Sequence, residues 1–134
     1  MFGLFGGGNI KVDEKAIEEF LTRSVAEVLP SKEGLKKKLL EGKRLRIYLG
    51  ADATGPQLHL GHATNLMLLE RMRKLGHEVI ILFGDFTAMI GDPTDKDATR
   101  KRLSKEEVEK NISEWKEQVG KILAFSGSNP ARVL

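Results

Sequence analysis

His59 and His62 close the stretch GADATGPQLHLGH, residues 50–62, and are two of only 3 histidines in the chain. Three residues apart at the start of a helix, they would share one face of its first turn. A helix start presents unpaired N–H groups and a partial positive charge, a natural seat for phosphate. That charge disfavours protonation, so each imidazole is expected to be a neutral N–H donor. Thr54 adds a hydroxyl donor, and Gly55 and Gly61 let the backbone approach a ligand closely. Two fixed donors over a phosphate stabilise charge that develops during phosphoryl transfer, with no nucleophile required from the protein. The other chemistry open to an H-x-x-H pair is metal binding, with Asp52 or Asp92 completing the site. With no cysteine, no third clustered histidine and no E-x-x-H context, no metal site is expected. Taken singly, a histidine at a helix start is more often structural than catalytic. Its placement between a strand and a helix, behind a Gly/Asp/Thr loop, is what gives the pair weight.

The flanking elements must supply that placement. Residues 45–49, LRIYL, and 79–83, VIILF, read as strands, and the unbroken apolar run of the second predicts cover on both faces. Between them a helix over about 59–75 carries Leu66, Leu69 and Met72 inward, with Gly76 as its stop. Strand, loop, helix and strand form a βαβ unit, implying parallel strands and a right-handed crossover. In such sheets ligands bind beyond the carboxyl ends of the strands, where GADATGPQLHLGH lies.

Upstream, residues 1–11 form a lead-in. Asp13 opens a helix in which Ile17, Phe20, Leu21, Val25 and Val28 recur at helical spacing, ended by Pro30. Ser31 caps a shorter helix with Leu35, Leu39 and Leu40 on its apolar face and a solvated Lys36, Lys37, Lys38 run opposite. After the second strand, GDFTAMIGDPTDKDATRKR reads as too polar and glycine-rich for a regular element. A long helix follows, opened by a Ser104/Glu107 capping box and striped by Val108, Ile112, Trp115, Val119 and Leu123. The chain then frays through SGSNP. Two parallel strands make a poor sheet, so these residues are expected to be the first part of a longer protein.

The chain has 134 residues, enough for one core, with 40% hydrophobic and 31% charged residues. A cysteine count of 0 excludes disulfide frameworks and thiolate chemistry. A net charge of +3 is compatible with polyphosphate or RNA partners without demanding them. No run is apolar enough to span a bilayer and no signal peptide is evident, so the expected location is cytoplasmic, with no membrane partner.

With these residues in place, the chain resembles class I aminoacyl-tRNA synthetases, whose first signature H-I-G-H stands here as HLGH at 59–62. More narrowly it resembles the tyrosyl-tRNA synthetase family, which carries G-x-D-P-T-A-x-x-L-H-x-G-H, then F-T-A-x-I-G-D-P, then a loop with Lys and Arg. The corresponding residues are GADATGPQLHLGH, FTAMIGDP at 86–93, Lys96 and Arg100. The resemblance covers about residues 12–132 and implies the N-terminal portion of a Rossmann-like parallel α/β sheet, incomplete and preceded by helices, over 12–134.

By position, the resemblance implies that Tyr48 faces the phenol end of tyrosine, Asp92 its ammonium group, and Thr87 the same pocket. It places Gly50 and Gly61 close to the adenylate and Asp52 at the junction of amino acid and ATP. Thr54, His59 and His62 would hold the ATP phosphates and ribose region, and Lys96 and Arg100 would grip the leaving pyrophosphate. The implied reaction is activation of tyrosine by Mg2+–ATP, then transfer to tRNA(Tyr), in a homodimeric full-length protein with no tightly bound cofactor. Taken alone, Tyr48 reads as a packing residue, Asp92 as a turn residue, and Lys96 and Arg100 as solvated charges. Ala53 stands where proline is usual, implying a less rigid loop; Gly55 stands where alanine is common, and Asp95 where glycine is frequent. The second signature, K-M-S-K-S, is absent from these residues, as is the helix that completes the tyrosine pocket. The rival readings are a non-catalytic nucleotide- or RNA-binding module of the same descent and a small H-x-G-H nucleotidyltransferase.

Overall fold

A computed structural model describes residues 9–23, 25–90 and 102–134. Its frame is a three-stranded parallel sheet in the order β1 (Arg46–Asp52), β2 (Glu78–Gly84), β3 (Arg132–Val133). β1 and β2 pair from Arg46↔Glu78 to Asp52↔Gly84, and β3 joins β2 at Ile80↔Arg132. One carboxylate ties the three strands together. Glu78 accepts from Arg46 Nε at 2.8 Å and from Arg132 Nη1 at 3.1 Å.

The expected βαβ unit is present. α3 (Leu60–Lys74) crosses from β1 to β2 with Leu66, Leu69 and Met72 buried. It stops where glycine is needed: Gly76 has φ 97, its N–H donates to Arg73 O and the next N–H, from His77, donates to Met72 O. That is a Schellman ending, which needs a left-handed residue at this position. α1 (Glu14–Thr22) is capped by Asp13, α2 (Lys32–Leu40) by Ser31, and α5 (Lys105–Gly120) by the Ser104/Glu107 box. Each cap side chain accepts a backbone N–H that the first turn leaves unpaired.

The core forms on one side of the sheet. Ile17, Phe20 and Leu21 of α1, Leu39 of α2, the buried residues of α3, and Trp115 and Val119 of α5 pack together with Val79, Ile81 and Phe83 of β2. Ile47, Leu49 and Ala51 of β1 lie against them. Alternation along a strand therefore turns Tyr48, Gly50 and Asp52 to the opposite, open side.

Four expectations are corrected. α1 ends at Thr22, so Val25 and Val28 are not helical; Ile17, Phe20 and Leu21 already fill its buried stripe, and Val28 reaches the core from irregular chain. β2 is covered on its second face only in part: Ile80 there is buried, whereas Leu82 is 42% exposed. Residues 86–90 form a short helix, α4 (Phe86–Ile90), started by the Asp85 side chain, which accepts from Phe86 N–H. Finally, SGSNP does not fray. Asn129 is buried, donates to Arg73 O and His77 O at 2.9 Å each, and leads the chain into β3.

Candidate active site at the carboxyl end of β1

The open face of β1 forms the floor. Tyr48, Gly50 and Asp52 follow one another on it, and their partners on β2 are Ile80, Leu82 and Gly84. Tyr48 stands 72% exposed. Gly50 leaves a gap between Tyr48 and Asp52, where an added Cβ would meet nothing nearer than Leu82 at 3.9 Å. At the end of the strand Thr87, carried by α4, donates its hydroxyl to Asp52 Oδ1 at 2.5 Å. This contact exists only because position 84 is glycine: a Cβ there would collide with both Asp52 Oδ1 and Thr87 Oγ1. Gly84 is a site determinant that the strand pattern did not reveal, since a glycine at a strand end reads as a simple terminator.

The chain then turns out of the sheet through residues 53–58, with Thr54 N–H on Asp52 O at 2.8 Å. Ala53 is fully buried, and the loop is held by one face of α5: Asn111 Nδ2 donates to Ala53 O at 2.9 Å and Trp115 Nε1 to Gly55 O at 2.6 Å. Gln118 completes the set with Nε2 on Pro56 O at 2.8 Å and Oε1 accepting from Leu58 N–H at 2.9 Å. Positions 111, 115 and 118 share a helix face. The apolar stripe had pointed to Trp115 as packing only, and nothing in it marked the polar residues at 111 and 118.

His59 is the N-cap of α3. Its Nδ1 accepts from Gly61 N–H at 3.1 Å, and His62 Nδ1 accepts from His59 N–H at 3.2 Å. This is a capping box built from two imidazoles instead of the usual hydroxyl and carboxylate. A nitrogen that accepts carries no proton, so in this arrangement each ring carries its N–H on Nε2. Each ring thus has one N–H donor left for a ligand. His59 is exposed and His62 half-buried, with ring centroids 3.9 Å apart. Neither points into the core. Burial holds the His62 imidazole below the usual 6.5, with the neighbouring His59 acting in the same direction. Trp115 backs His62 at a centroid distance of 5.4 Å.

Gly61 leaves room for the cap. A Cβ at this position would stand 3.0 Å from His59 Cε1 and 3.1 Å from Nδ1, so the ring would have to shift by a few tenths of an ångström. The structure therefore brings Tyr48, Gly50, Asp52 and Thr87 to one side of the β1 end, and Thr54, Gly61, His59 and His62 to the loop and helix that follow it. Asp92, Lys96 and Arg100 lie outside the described residues. Among the described residues no group of three or more His, Asp or Glu could hold a metal ion, and no helix is long and apolar enough to cross a membrane.

A family model described as tRNA synthetases class I (W and Y) matches residues 40–131. The tyrosine–tRNA ligase of Carboxydothermus hydrogenoformans is 54% identical over 116 residues, which are 84% of this chain and 28% of the relative. That of Moorella thermoacetica is 43% identical over 122 residues, 87% of this chain and 30% of the relative. The chain thus spans under a third of the length of these relatives. Among solved structures, a C-terminally truncated Aspergillus nidulans mitochondrial tyrosyl-tRNA synthetase superposes with a TM-score of 0.68 at 25% identity, covering 90% of this chain and 36% of that one. A tyrosyl-tRNA synthetase of Archaeoglobus fulgidus, solved in complex with L-tyrosine, gives 0.69 at 24% identity, covering 91% and 34%, and shares the fold.

Proposed function

The chain belongs to the class I tRNA synthetases of the W and Y type, and from that premise we propose that it is the N-terminal part of the catalytic domain of a tyrosine–tRNA ligase. The full-length protein activates tyrosine with ATP and transfers it to tRNA(Tyr). The observation that carries this reading is the pair of imidazoles fixed by their own capping box, each with its Nε2–H free for a ligand. They stand next to a strand whose open face offers Tyr48, Gly50 and Asp52.

In the reaction the tyrosine carboxylate attacks the α-phosphorus of ATP, the bond to the β-phosphate oxygen breaks, and pyrophosphate leaves. Mg2+ enters with ATP as part of the substrate. Tyr48 faces the phenol ring, Asp92 pairs with the ammonium group, and Thr87 lines the same pocket through Asp52. Gly50 and Gly61 give the adenylate close access to the backbone, and Asp52 stands at the junction of the two substrates. Thr54 and the Nε2–H donors of His59 and His62 hold the phosphates and ribose region. Lys96 and Arg100 grip the departing pyrophosphate. No general base is needed, because the attacking carboxylate is already ionised; the chain's contribution is positioning and charge stabilisation. The protein works as a cytoplasmic homodimer.

Tyrosine-dependent ATP–pyrophosphate exchange by the full-length protein tests the reading. Loss of one charge-stabilising donor costs on the order of 100-fold in kcat, so His59→Ala should show at least that loss. Asp92→Ala should raise the KM for tyrosine. ATP binding without any exchange would instead identify a non-catalytic nucleotide-binding module.

A further inference from the structure

The loop that carries Thr54 and leads into His59 has no ladder of its own. Among the described residues, no backbone–backbone hydrogen bond joins residues 55–58 to any other part of the chain. Leu58 packs against the core, and beside it lies a cavity of about 550 Å³ lined by Leu58, His59, Ala63, Leu66, Gln118 and Ile122. The hydrogen bonds that hold the backbone of residues 55–58 are side-chain ones, and the nearest of these to His59 come from Gln118.

One amide makes both. Gln118 Nε2 donates to Pro56 O and Oε1 accepts from Leu58 N–H, bridging across Gln57 as a neighbouring strand would. A second bond from Nε2 to Glu114 O at 3.2 Å holds the amide to its own helix. Turning the amide over would set oxygen against the Pro56 carbonyl and NH2 against the Leu58 N–H, so the chemistry admits one orientation. The clamped Leu58 N–H belongs to the residue directly before His59. The cap bond from Gly61 sets the ring relative to α3, and the clamp sets the approach of the chain to that cap.

We infer that Gln118 is a positioning residue for the proposed reaction: by clamping Pro56 and Leu58 it fixes where His59 presents its Nε2–H. It touches no substrate, and it rests on the tyrosine-activation reading above. Asn111 and Trp115 serve the same loop from within the core, whereas Gln118 is half-buried and can be changed without opening the interior.

The test is a double-mutant cycle on tyrosine-dependent ATP–pyrophosphate exchange in the full-length protein. Gln118→Met keeps the side-chain length and deletes both bonds. It should lower kcat by about tenfold, the scale set by small misplacements of catalytic groups, and leave the KM for tyrosine unchanged. In a His59→Asn background, whose side-chain oxygen keeps the cap while the outer N–H is lost, the same substitution should cost less than about twofold, because the group it positions is gone. A full loss in both backgrounds would mean a general structural role and overturn the inference while leaving the tyrosine-activation reading intact. If the wild type shows no exchange, that reading fails, and the clamp is judged by NMR instead. The Leu58 amide should be protected from hydrogen exchange in the wild type and lose protection in Gln118→Met, with the His59 ring signals shifted. Unchanged protection and unchanged ring signals would overturn the inference.

Discussion

Thr87 and Asp52 meet across the ends of two chain segments 35 positions apart, with hydroxyl and carboxylate 2.5 Å from one another over the bare backbone of Gly84. Both side chains are exposed, so they can swing aside from an intruding methyl group at little cost to the fold. Gly84→Ala should therefore change stability by no more than about 0.5 kcal/mol, as surface substitutions do. It should lower tyrosine-dependent exchange by about tenfold, because the Asp52 carboxylate is displaced from the substrate junction. Urea denaturation alongside the exchange assay separates the two effects, and full activity in a variant with displaced Asp52 would remove that residue from the site.

Trp115 is the single tryptophan of the chain and lies 5.4 Å from the His62 ring. An imidazolium quenches indole emission more strongly than a neutral imidazole does. Fluorescence should accordingly fall as the pH is lowered, with a midpoint below 6.5, since burial depresses the His62 pKa. His62→Gln should abolish the step. A step that survives that substitution would place the quencher elsewhere.

The longer helices and the first two strands were readable because the strongest signals are local. Asp13, Ser31 and the Ser104/Glu107 pair mark helix starts through their own hydrogen bonds, and Gly76 marks a helix end through its backbone angle. β3 was not readable: two residues carry no period, and their place beside β2 is set by distant partners, Asn129 on His77 O, Leu134 N–H on Ile81 O and Arg132 on Glu78. At the site, the two histidines announced themselves by type and spacing. Their mutual capping did not, because histidine is an uncommon cap and the bond depends on ring orientation. The bracing residues Asn111 and Gln118 were hidden for a related reason. Their partners are backbone groups about 60 residues away, and a polar residue on a helix gives no sign of such a target.

His77 is buried to 1% exposure, and its Nδ1 accepts from Leu45 N–H at 3.2 Å. Burial, and secondarily Arg44, holds its pKa below 6.5. Above pH 6.5 the ring is neutral whether the protein is folded or not, and its contribution to stability is complete. As the pH falls below 6.5 the unfolded chain takes up a proton that the folded one refuses, and stability is lost down to the depressed folded value. His77→Asn, which keeps an acceptor near Leu45, should show a smaller drop in urea midpoint between pH 7 and pH 5 than the wild type. Equal drops in both proteins would assign the acid sensitivity to other groups.

Glu70 accepts from Arg73 through both oxygens, at 2.6 and 2.8 Å, while Arg73 Nη1 donates to Asn129 O at 2.7 Å. The two side chains are only 13% and 14% exposed. Glu70→Ala leaves the guanidinium with an uncompensated charge in partly buried surroundings and should cost about 2–3 kcal/mol, below the figure for full burial. The Arg73 hydrogen bond also keeps the Glu70 carboxyl below 4.5. Its contribution is therefore present above that pH and lost as acid protonates it, so the wild-type advantage over Glu70→Ala should shrink between pH 5 and pH 3. Chemical denaturation across that range measures it.

A helix that begins on an imidazole asks one side chain to perform two unrelated tasks: the inner nitrogen of His59 finishes the backbone, and the outer one is left for chemistry. Removing the whole ring confounds them, because the first turn of α3 loosens at the same moment as the donor disappears. Asparagine, whose oxygen can take the place of the inner nitrogen, would keep the turn and surrender only the outer proton. The difference between the two replacements at this one position is a direct reading of how much of the histidine is held by architecture and how much by reactivity.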